Sequence, residues 1–190
     1  MKITIVPYQT AWPDEFKALG KDLRQALGGQ ALRIDHIGST SVPGLAAKDV
    51  IDIQVTVRSL DPEIENALIR AGYERLIQIN SDHNPPQSPS APQEWAKWMF
   101  KPSTPHRPVN IHVRVSGRAN QRYPLLFRDY LRTHPKTAEA YRQVKSALAH
   151  YHPDDLDAYY DVKDPVCDII IGGAEEWATV SHWEPGPSDC

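Results

Sequence analysis

The stretch His36–Val57, HIGSTSVPGLAAKDVIDIQVTV, decides the fold. From Val50 to Val57 it alternates apolar and polar residues, the period of a β-strand with one buried face. Before that strand, Gly38 and the hydroxyl residues Ser39, Thr40 and Ser41 follow a shorter strand. Backbone N–H groups and hydroxyls in such a turn can hold a phosphate. The stretch therefore predicts a sheet with a phosphate-binding turn beside it.

Helical and strand-like segments alternate on both sides of this stretch. Apolar residues at three- and four-residue steps predict a helix that Thr10 caps and Gly28 ends, and a second helix starts at Asp61 and ends at Gly72. Further strands are predicted at residues 2–6, 32–37, 73–79, 95–101 and 109–115. A proline-rich turn, residues 102–108, joins the last two.

From residue 121 the pattern becomes helical, with pieces that stop near Pro135 and are framed later by Asp154 and Pro165. Tyr130, Tyr141 and Tyr151 lie on these helical stripes and are expected in the core rather than as base-stacking platforms. We predict one α/β (α+β) domain over residues 1–190, a mixed sheet flanked by helices. Residues 1–118 would form its core, 119–180 a C-terminal helical part and 181–190 a frayed tail.

Residues 80–94 contain four prolines and are predicted to be a long loop, either a lid over a site or disordered.

Long apolar stretches are missing from the sequence, which excludes a membrane-spanning protein. The first residues do not resemble a signal peptide, and two cysteines, Cys167 and Cys190, make no disulfide framework. A cytoplasmic location is therefore expected, while the oligomeric state stays open.

The net charge of -3 conceals a strong asymmetry along the chain. Residues 1–94 carry nine basic and twelve acidic side chains, residues 95–150 eleven and two, and residues 151–190 one and ten. The basic middle segment is either an ordinary solvated surface or part of an anion site. RNA binding through that segment ranks third among the possible functions, because no RNA-binding signature is present.

The run HIGSTSVPGLAAKDVIDI, residues 36–53, closely resembles the motif of the GrpB family, and YLRTHPKTAEAYRQVK and YYDVKDP resemble that family's later segments. The resemblance implies a nucleotidyltransferase-like fold of the polymerase-beta superfamily. In that superfamily a Gly-Ser turn holds a nucleoside triphosphate, and acidic residues on the next strands bind two Mg²⁺. Gly38 and Ser39 match the turn and Asp52 matches the first acid, whereas Gln54 stands at the second acidic position and His112 near the third.

Asp52, Gln54 and His112 are therefore the candidate catalytic residues, with Asp52 and His112 as ligands of a divalent Mg²⁺ or Mn²⁺. The candidate phosphate-binding residues come from the turn, the basic segment and the YYDVKDP motif: His36, Gly38, Ser39, Thr40, Lys101, Arg107, Arg114 and Lys163. Each of these residues could instead have an ordinary structural role. The histidines could be buried and hydrogen-bonded within the core, and the cations could be solvated or locally ion-paired.

The sequence is compatible with two functions. The first is metal-dependent nucleotidyl transfer, with Gly38 and Ser39 on the phosphates and Asp52 on the metal. The second is a binding module without transfer chemistry, which recognises a nucleotide or a coenzyme A precursor. Gln54 favours the second, because a neutral amide weakens a two-metal centre. Some family members are fused to dephospho-coenzyme A kinase, so the resemblance also implies a role near coenzyme A metabolism.

Overall fold

The computed structural model describes residues 2–104 and 107–190. Within them five strands form one sheet: β1 Arg33–Ile37, β2 Ile51–Val57, β3 Tyr73–Arg75, β4 Lys97–Pro102 and β5 Val109–Val115. Five α-helices surround it: α1 Trp12–Leu27, α2 Pro62–Arg70, α3 Ala119–Thr133, α4 Pro135–Tyr151 and α5 Leu156–Ser181. The predicted mixed α/β fold with a helical C-terminal part is confirmed.

The strand order is β1-β2-β5-β4-β3. β2 and β5 run parallel at the centre, and the other neighbouring pairs are antiparallel. The register sets Asp52 beside Asn110 and Gln54 beside His112. Because side chains on neighbouring strands at the same register share a face, the polar positions of β2 and β5 form one polar surface.

The opposite face of the sheet is apolar and packs against α1 and α2. Ile51, Ile53 and Val55 of β2 are fully buried there, together with Phe16 and Leu23 of α1. The polar face is covered by α3, whose backbone carbonyl at Gln121 accepts a hydrogen bond from Gln54. Helices α4 and α5 pack beside α3. No helix in these ranges is long and apolar enough to cross a membrane.

Several predicted boundaries differ from the structure near the N-terminus. Residues 2–6 do not form a strand, and only Val6 makes an isolated bridge, to Ala47, because Ile3 bonds instead to the carbonyl of Pro153. Thr10 does not cap α1, which begins after Ala11 without a side-chain cap.

The strand predicted over 73–79 ends at Arg75, and the one predicted over 95–101 starts at Lys97 because a 3₁₀ turn over Pro92–Glu94 precedes it. Of the predicted turn over 102–108, Pro105 and His106 lie outside the described residues.

The C-terminal segments differ more. α5 is one helix of 26 residues that continues through Pro165, because the apolar residues beyond it, including Ile170, Ile171 and Ala174, stay packed against the other helices. Tyr141 is buried as predicted, whereas Tyr151 is 73% exposed and lies outside the core.

The tail does not fray, because it lies along the free edge of β1. The backbone N–H groups of Ile34 and His36 donate to Ser188 Oγ and an Asp189 carboxylate oxygen, at 2.9 Å each, and the N–H of Cys190 donates to the carbonyl of Ile34.

Candidate functional site

Asp52 stands on the polar face of β2, where it meets two side chains of β5. Asn110 donates to Asp52 Oδ1 at 2.8 Å, and His112 Nε2 lies 3.8 Å from the same oxygen. Burial alone would raise the pKa of the Asp52 carboxyl, but interactions with His112, Asn110 and Lys48 outweigh it and hold that pKa below its usual value. Burial, with the nearby Arg114, lowers the pKa of His112. At neutral pH the pair is a carboxylate beside a neutral imidazole.

Gly38 is packed directly against this carboxylate. Its φ of +70° is in the left-handed region, and an added Cβ would overlap the Asp52 side chain. Only glycine lets the turn approach Asp52 this closely. The 3₁₀ turn Ser39–Ser41 follows at once, so the hydroxyl turn and the strand carboxylate form one continuous site.

His36 and Thr40 are buried and hold the turn from the interior of the protein. His36 Nε2 lies 3.0 Å from Thr40 Oγ1, and its ring stacks on Phe16 with 4.7 Å between the centroids. His36 is 4% exposed, and burial lowers its pKa to about 4, so the ring is neutral. Both side chains are internal to the protein, which places them as positioning residues rather than as groups open to a ligand.

Two arginines of α3 fix the backbone around the turn. Arg128 donates to the carbonyl of His36 at 3.0 Å, and Arg132 donates to that of Ser41 at 2.8 and 3.0 Å. Helix α3 therefore holds the backbone on both sides of the turn, at His36 and at Ser41.

Lys145 of α4 reaches the turn from the side of the helices. Its ammonium donates to Ser39 Oγ at 2.8 Å and to the carbonyl of Ala46 at 2.7 Å, and it lies 4.6 Å from the centroid of the Tyr141 ring. The residue is 2% exposed and has no carboxylate partner among the described residues. Burial, with the nearby charge of Lys163, lowers its pKa to about 7.

Two further lysines surround the same region. Lys48 Nζ lies 3.1 Å from the hydroxyl of Tyr160, and its charge acts on both Asp52 and Lys145. Lys163 Nζ lies 3.4 Å from Asp164 Oδ1, and its side chain is 23% exposed. Lys48, Lys145 and Lys163 are here called the lysine cluster, because the charges of Lys48 and Lys163 both act on Lys145.

Gln54 and Arg114 are engaged with other protein groups. Gln54, fully buried, donates to the carbonyl of Gln121 at 2.9 Å and accepts from Arg114 at 2.8 Å. Arg114 in turn donates to both carboxylate oxygens of Asp82, at 2.8 and 2.9 Å. Neither side chain has a free polar group toward the turn, so the structure does not place them with Asp52 and Ser39 as ligand-binding groups.

Asp82, in the loop 80–94, also accepts from Lys97 at 2.6 Å and from Asn120 at 3.0 Å. Burial would raise the pKa of its carboxyl, but the charges of Arg114 and Lys97 outweigh that effect and hold it far below its usual range. This carboxylate neutralises the two buried cations of the polar face and fixes the start of the loop to the sheet.

Lys101 and Arg107 are not brought to the turn. Lys101 pairs with Glu74 of β3 at 3.0 Å. Arg107 pairs with Glu15 at 2.8 Å and Asp49 at 2.6 Å. For these two residues the structure agrees with the alternative of local ion pairs.

The donor set does not fit the two-metal centre that the superfamily resemblance implies. No group of three or more His, Cys, Asp and Glu side chains able to hold a metal occurs in the described part of the chain. Asp52 offers one carboxylate and His112 one imidazole, while the oxygen of Gln54 is taken by Arg114. Two Mg²⁺ ions need more anionic oxygen ligands than this face supplies.

Lys48 and Lys145 near the turn, and Asp82 on the polar face of the sheet, are not among the residues predicted from the sequence. Lys145 follows Tyr141 by four residues and precedes Leu148 by three, so it lies on the apolar stripe of its helix. A lysine within an apolar stripe of a helix predicts a buried cation. Asp82 gives no comparable signal, because its partners are far away in the sequence.

Comparison with known proteins places this chain in a family. The model of the family described as GrpB protein matches residues 2–172. The solved structure of the conserved protein GrpB from Enterococcus faecalis superposes with a TM-score of 0.77 at 29% identity, over 95% of this chain and all (100%) of that chain. A cytoplasmic RNA terminal U-transferase superposes with a TM-score of 0.47 at 16% identity, over 77% of this chain and 41% of that chain, too loosely to bear on activity.

Among curated sequences, a protein of Mycolicibacterium paratuberculosis named dephospho-CoA kinase is 38% identical over 96% of this chain and 48% of its own length. A UPF0157 protein of Pseudomonas aeruginosa is 36% identical over 91% of this chain and 68% of its own length. The chain thus spans about half the length of the first of these relatives. With a family match over nearly all of its length, the chain belongs to the GrpB family.

Proposed function

We propose that this chain binds a phosphorylated small molecule at the turn Gly38–Ser41, with Lys145 as the central cation. The observation that carries the proposal is the ammonium of Lys145, buried to 2% exposure and bonded to Ser39 without a carboxylate partner in the described residues. A buried charge without a counterion is unfavourable in the free protein. An anion beside Ser39 would relieve that cost, and a phosphate is the anion that a hydroxyl turn suits best.

The surroundings of Lys145 support the same ligand chemistry. Lys48 and Lys163 add positive charge within electrostatic reach, as their effect on the pKa of Lys145 indicates. The backbone of the turn is held by Arg128 and Arg132. A preorganised turn loses little freedom when a ligand binds, which favours affinity.

Binding without nucleotidyl transfer is the version of this function that the side chains favour. Gln54 is neutral and engaged, so Asp52 and His112 would hold one divalent Mg²⁺ or Mn²⁺ at most. The relatives named dephospho-CoA kinase place coenzyme A precursors among the ligands worth testing, alongside nucleotides.

The test is calorimetric titration of the protein with tripolyphosphate, ATP and dephospho-coenzyme A, first with EDTA and then with Mn²⁺. We expect metal-independent binding of at least one of them, and a loss of about tenfold or more in Lys145→Gln, because a charge-assisted hydrogen bond contributes about 1.5–3 kcal/mol. Lys136→Gln, an exposed lysine of the same helix, is the matched control.

Two outcomes would count against the proposal: no binding of any of the three ligands, or equal affinities in Lys145→Gln and Lys136→Gln. Release of pyrophosphate from ATP that requires Mn²⁺ and is lost in Asp52→Ala would instead support nucleotidyl transfer.

A further inference from the structure

Helix α5 carries apolar residues on two opposite faces. Its inner face, with Ile170, Ile171 and Ala174, is buried against the neighbouring helices. On its outer face Ile169 is 76% exposed and Val180 is 83% exposed. A surface helix of a globular protein normally has one apolar and one polar face, and a helix that is apolar on both faces is covered on both. The outer face of α5 therefore indicates contact with another molecule.

The exposed apolar residues follow one line along α5, here called the outer stripe: Val162, Pro165, Ile169, Gly172 and Val180. Val162 and Ile169 lie seven residues apart, as do Pro165 and Gly172, which is the spacing at which a second helix packs along the first. From Val162 to Val180 the stripe spans about five helical turns, or about 27 Å. A Cβ added at Gly172 would meet no atom within 4 Å, so this position leaves room for close approach. The stripe therefore fits a helix rather than a small molecule.

Carboxylates accompany the outer stripe along the helix. Six occur in α5: Asp157, Asp161, Asp164, Asp168, Glu175 and Glu176. Asp161, Asp168 and Glu175 repeat every seven residues and so form a row beside the stripe. Among the described residues, three basic side chains contact the six carboxylates: Lys163, His83 and Arg122. Together α5 and these basic side chains therefore carry a net negative charge, whether or not His83 is protonated.

A groove of about 660 Å³ runs beside the outer stripe, between α5 and the loop 80–94. Its lining combines apolar and acidic side chains: Pro89, Trp95, Tyr123, Asp168, Ile169 and Glu175. Arg122 also lines the groove, but its charge is offset by Glu175. A lysine or arginine buries its methylene stem on apolar surface while its charged end stays in water or meets a carboxylate. The groove therefore suits long basic side chains on the flank of a helix that lies on the stripe.

A second copy of this chain does not fit the outer stripe. Pairing of two α5 helices along their stripes would bring the same row of carboxylates, Asp161, Asp168 and Glu175, from both copies. Like charges that face each other across a helix pair oppose association and select a partner of the opposite charge. A basic helix has the complementary charge pattern.

We infer that the outer stripe of α5 binds a helix of a partner protein, one with apolar residues at three- and four-residue steps and with lysine or arginine along their flank. This helix-in-groove contact goes beyond the proposed function, since it involves neither the turn Gly38–Ser41 nor Lys145. Its affinity depends on Ile169 for the apolar contact, and its choice of partner depends on basic charge.

The test uses two synthetic peptides of three heptads, with leucine at the a and d positions of each. One peptide carries lysine at its e and g positions and the other glutamate, so like charges keep each peptide from pairing with itself. Fluorescence anisotropy with the whole protein measures the affinity of each peptide. We expect the lysine peptide to bind at least tenfold more tightly than the glutamate peptide, and to bind more weakly as salt rises from about 50 to about 500 mM.

Ile169→Ser should lower the affinity for the lysine peptide at least tenfold, because the apolar contact at the centre of the stripe is lost. Since Ile169 is exposed, the thermal unfolding of the variant should match that of the wild type. Ile69→Ser is the matched control. Ile69 is 53% exposed on α2, which covers the opposite face of the sheet, so this variant should bind the lysine peptide as the wild type does.

Three results would overturn the inference: no binding of the lysine peptide, equal binding of the two peptides, or an equal loss in Ile169→Ser and Ile69→Ser. A fourth is a dimer of the protein in light scattering that Ile169→Ser converts to a monomer, because a second copy would then occupy the stripe. The phosphate site is tested separately, with tripolyphosphate and Lys145→Gln.

Discussion

At the scale of single residues, the surroundings of the turn place unusual demands on Lys145 and Gly38. Lys145 buries an ammonium among Ser39, Tyr141 and the carbonyl of Ala46. Gly38 adopts a left-handed backbone so that the turn can touch Asp52. Glycines that allow a close backbone approach and buried charges with perturbed pKa values are typical of sites where a protein binds or reacts.

The charge of Lys145 predicts how binding depends on pH. With a pKa of about 7 in the free protein, Lys145 is increasingly neutral above pH 7, whereas a bound phosphate favours the charged form. Binding above pH 7 must then take up a proton, and affinity should fall by up to about tenfold per pH unit between pH 7 and pH 9.

Titration at each pH, corrected for ionisation of the ligand by the same series in Lys145→Gln, measures this dependence. A wild-type profile parallel to that of the variant would contradict it.

Gly38→Ala should destabilise the fold, because an alanine Cβ would meet the Asp52 carboxylate in a backbone region that L-residues disfavour. We expect a loss of about 1–3 kcal/mol in the free energy of unfolding, measured by urea denaturation. Gly29→Ala, where an added Cβ meets no atom within 4 Å, is the control. Equal stability of the two variants would show that the turn can move away from Asp52.

Part of the candidate site can be predicted from the sequence. The hydroxyl turn after a strand identifies Gly38 and Ser39, and strand alternation identifies the face of Asp52 and His112. The same alternation predicts that Arg114 lies on that face, but it does not predict the ion pair of Arg114 with Asp82. Its partner Asp82 lies 32 positions earlier, and no local pattern reports a pairing set by the tertiary fold.

At the scale of elements, the loop 80–94 is a structural part of the sheet face. Asp82 at its start neutralises Arg114 and Lys97, and Trp95 at its end donates to the carbonyl of Pro89 at 2.7 Å. Its proline content identified a loop, since prolines cannot extend a ladder. Composition could not show that one carboxylate in it anchors two buried cations.

Asp82→Ala should therefore be one of the most destabilising single changes in the chain. It leaves Arg114, 5% exposed, and Lys97, 7% exposed, without their carboxylate. Removing one partner of a buried ion pair costs about 3–5 kcal/mol. Thermal and urea unfolding measure the change, with Asp154→Ala, an exposed aspartate, as the control. A loss no greater than in that control would mean that water replaces the carboxylate.

The tail shows a similar limit at the element scale. The residues EPGPSDC suggest a frayed end by composition. In the structure Asp189 bonds to the backbone of His36 and to Arg128 at 2.7 Å, because β1 is an edge strand with unpaired N–H groups. The packing of the helices decides which segment lies beside a free strand edge. The local sequence of the tail therefore does not predict that it covers β1.

At the scale of the whole molecule, the charge asymmetry is largely resolved by internal pairing. Nine of the eleven basic residues in the segment 95–150 form ion pairs in the described chain: Lys97, Lys101, Arg107, Arg114, Arg118, Arg122, Arg128, Arg132 and Arg142. Their carboxylates come from all three segments, as Glu15, Asp129 and Glu175 illustrate. Of the two remaining, Lys136 is exposed and Lys145 is buried.

This pairing predicts weak RNA binding. A protein that binds RNA through many free cations loses affinity steeply as salt rises, with a slope set by the number of phosphates it neutralises. Because most cations of the middle segment already face carboxylates, we expect fluorescence anisotropy with a single-stranded RNA to show little binding at 50 mM salt. Tight binding that falls by a hundredfold or more at 200 mM salt would contradict this expectation.

The most direct measurement of the central claim is a crystal structure of the protein with a nucleoside triphosphate bound. The account predicts phosphate density within hydrogen-bond distance of Lys145 Nζ and of the turn Gly38–Ser41. Density for the ligand elsewhere on the molecule, with Lys145 still bonded only to Ser39 and Ala46, would contradict it.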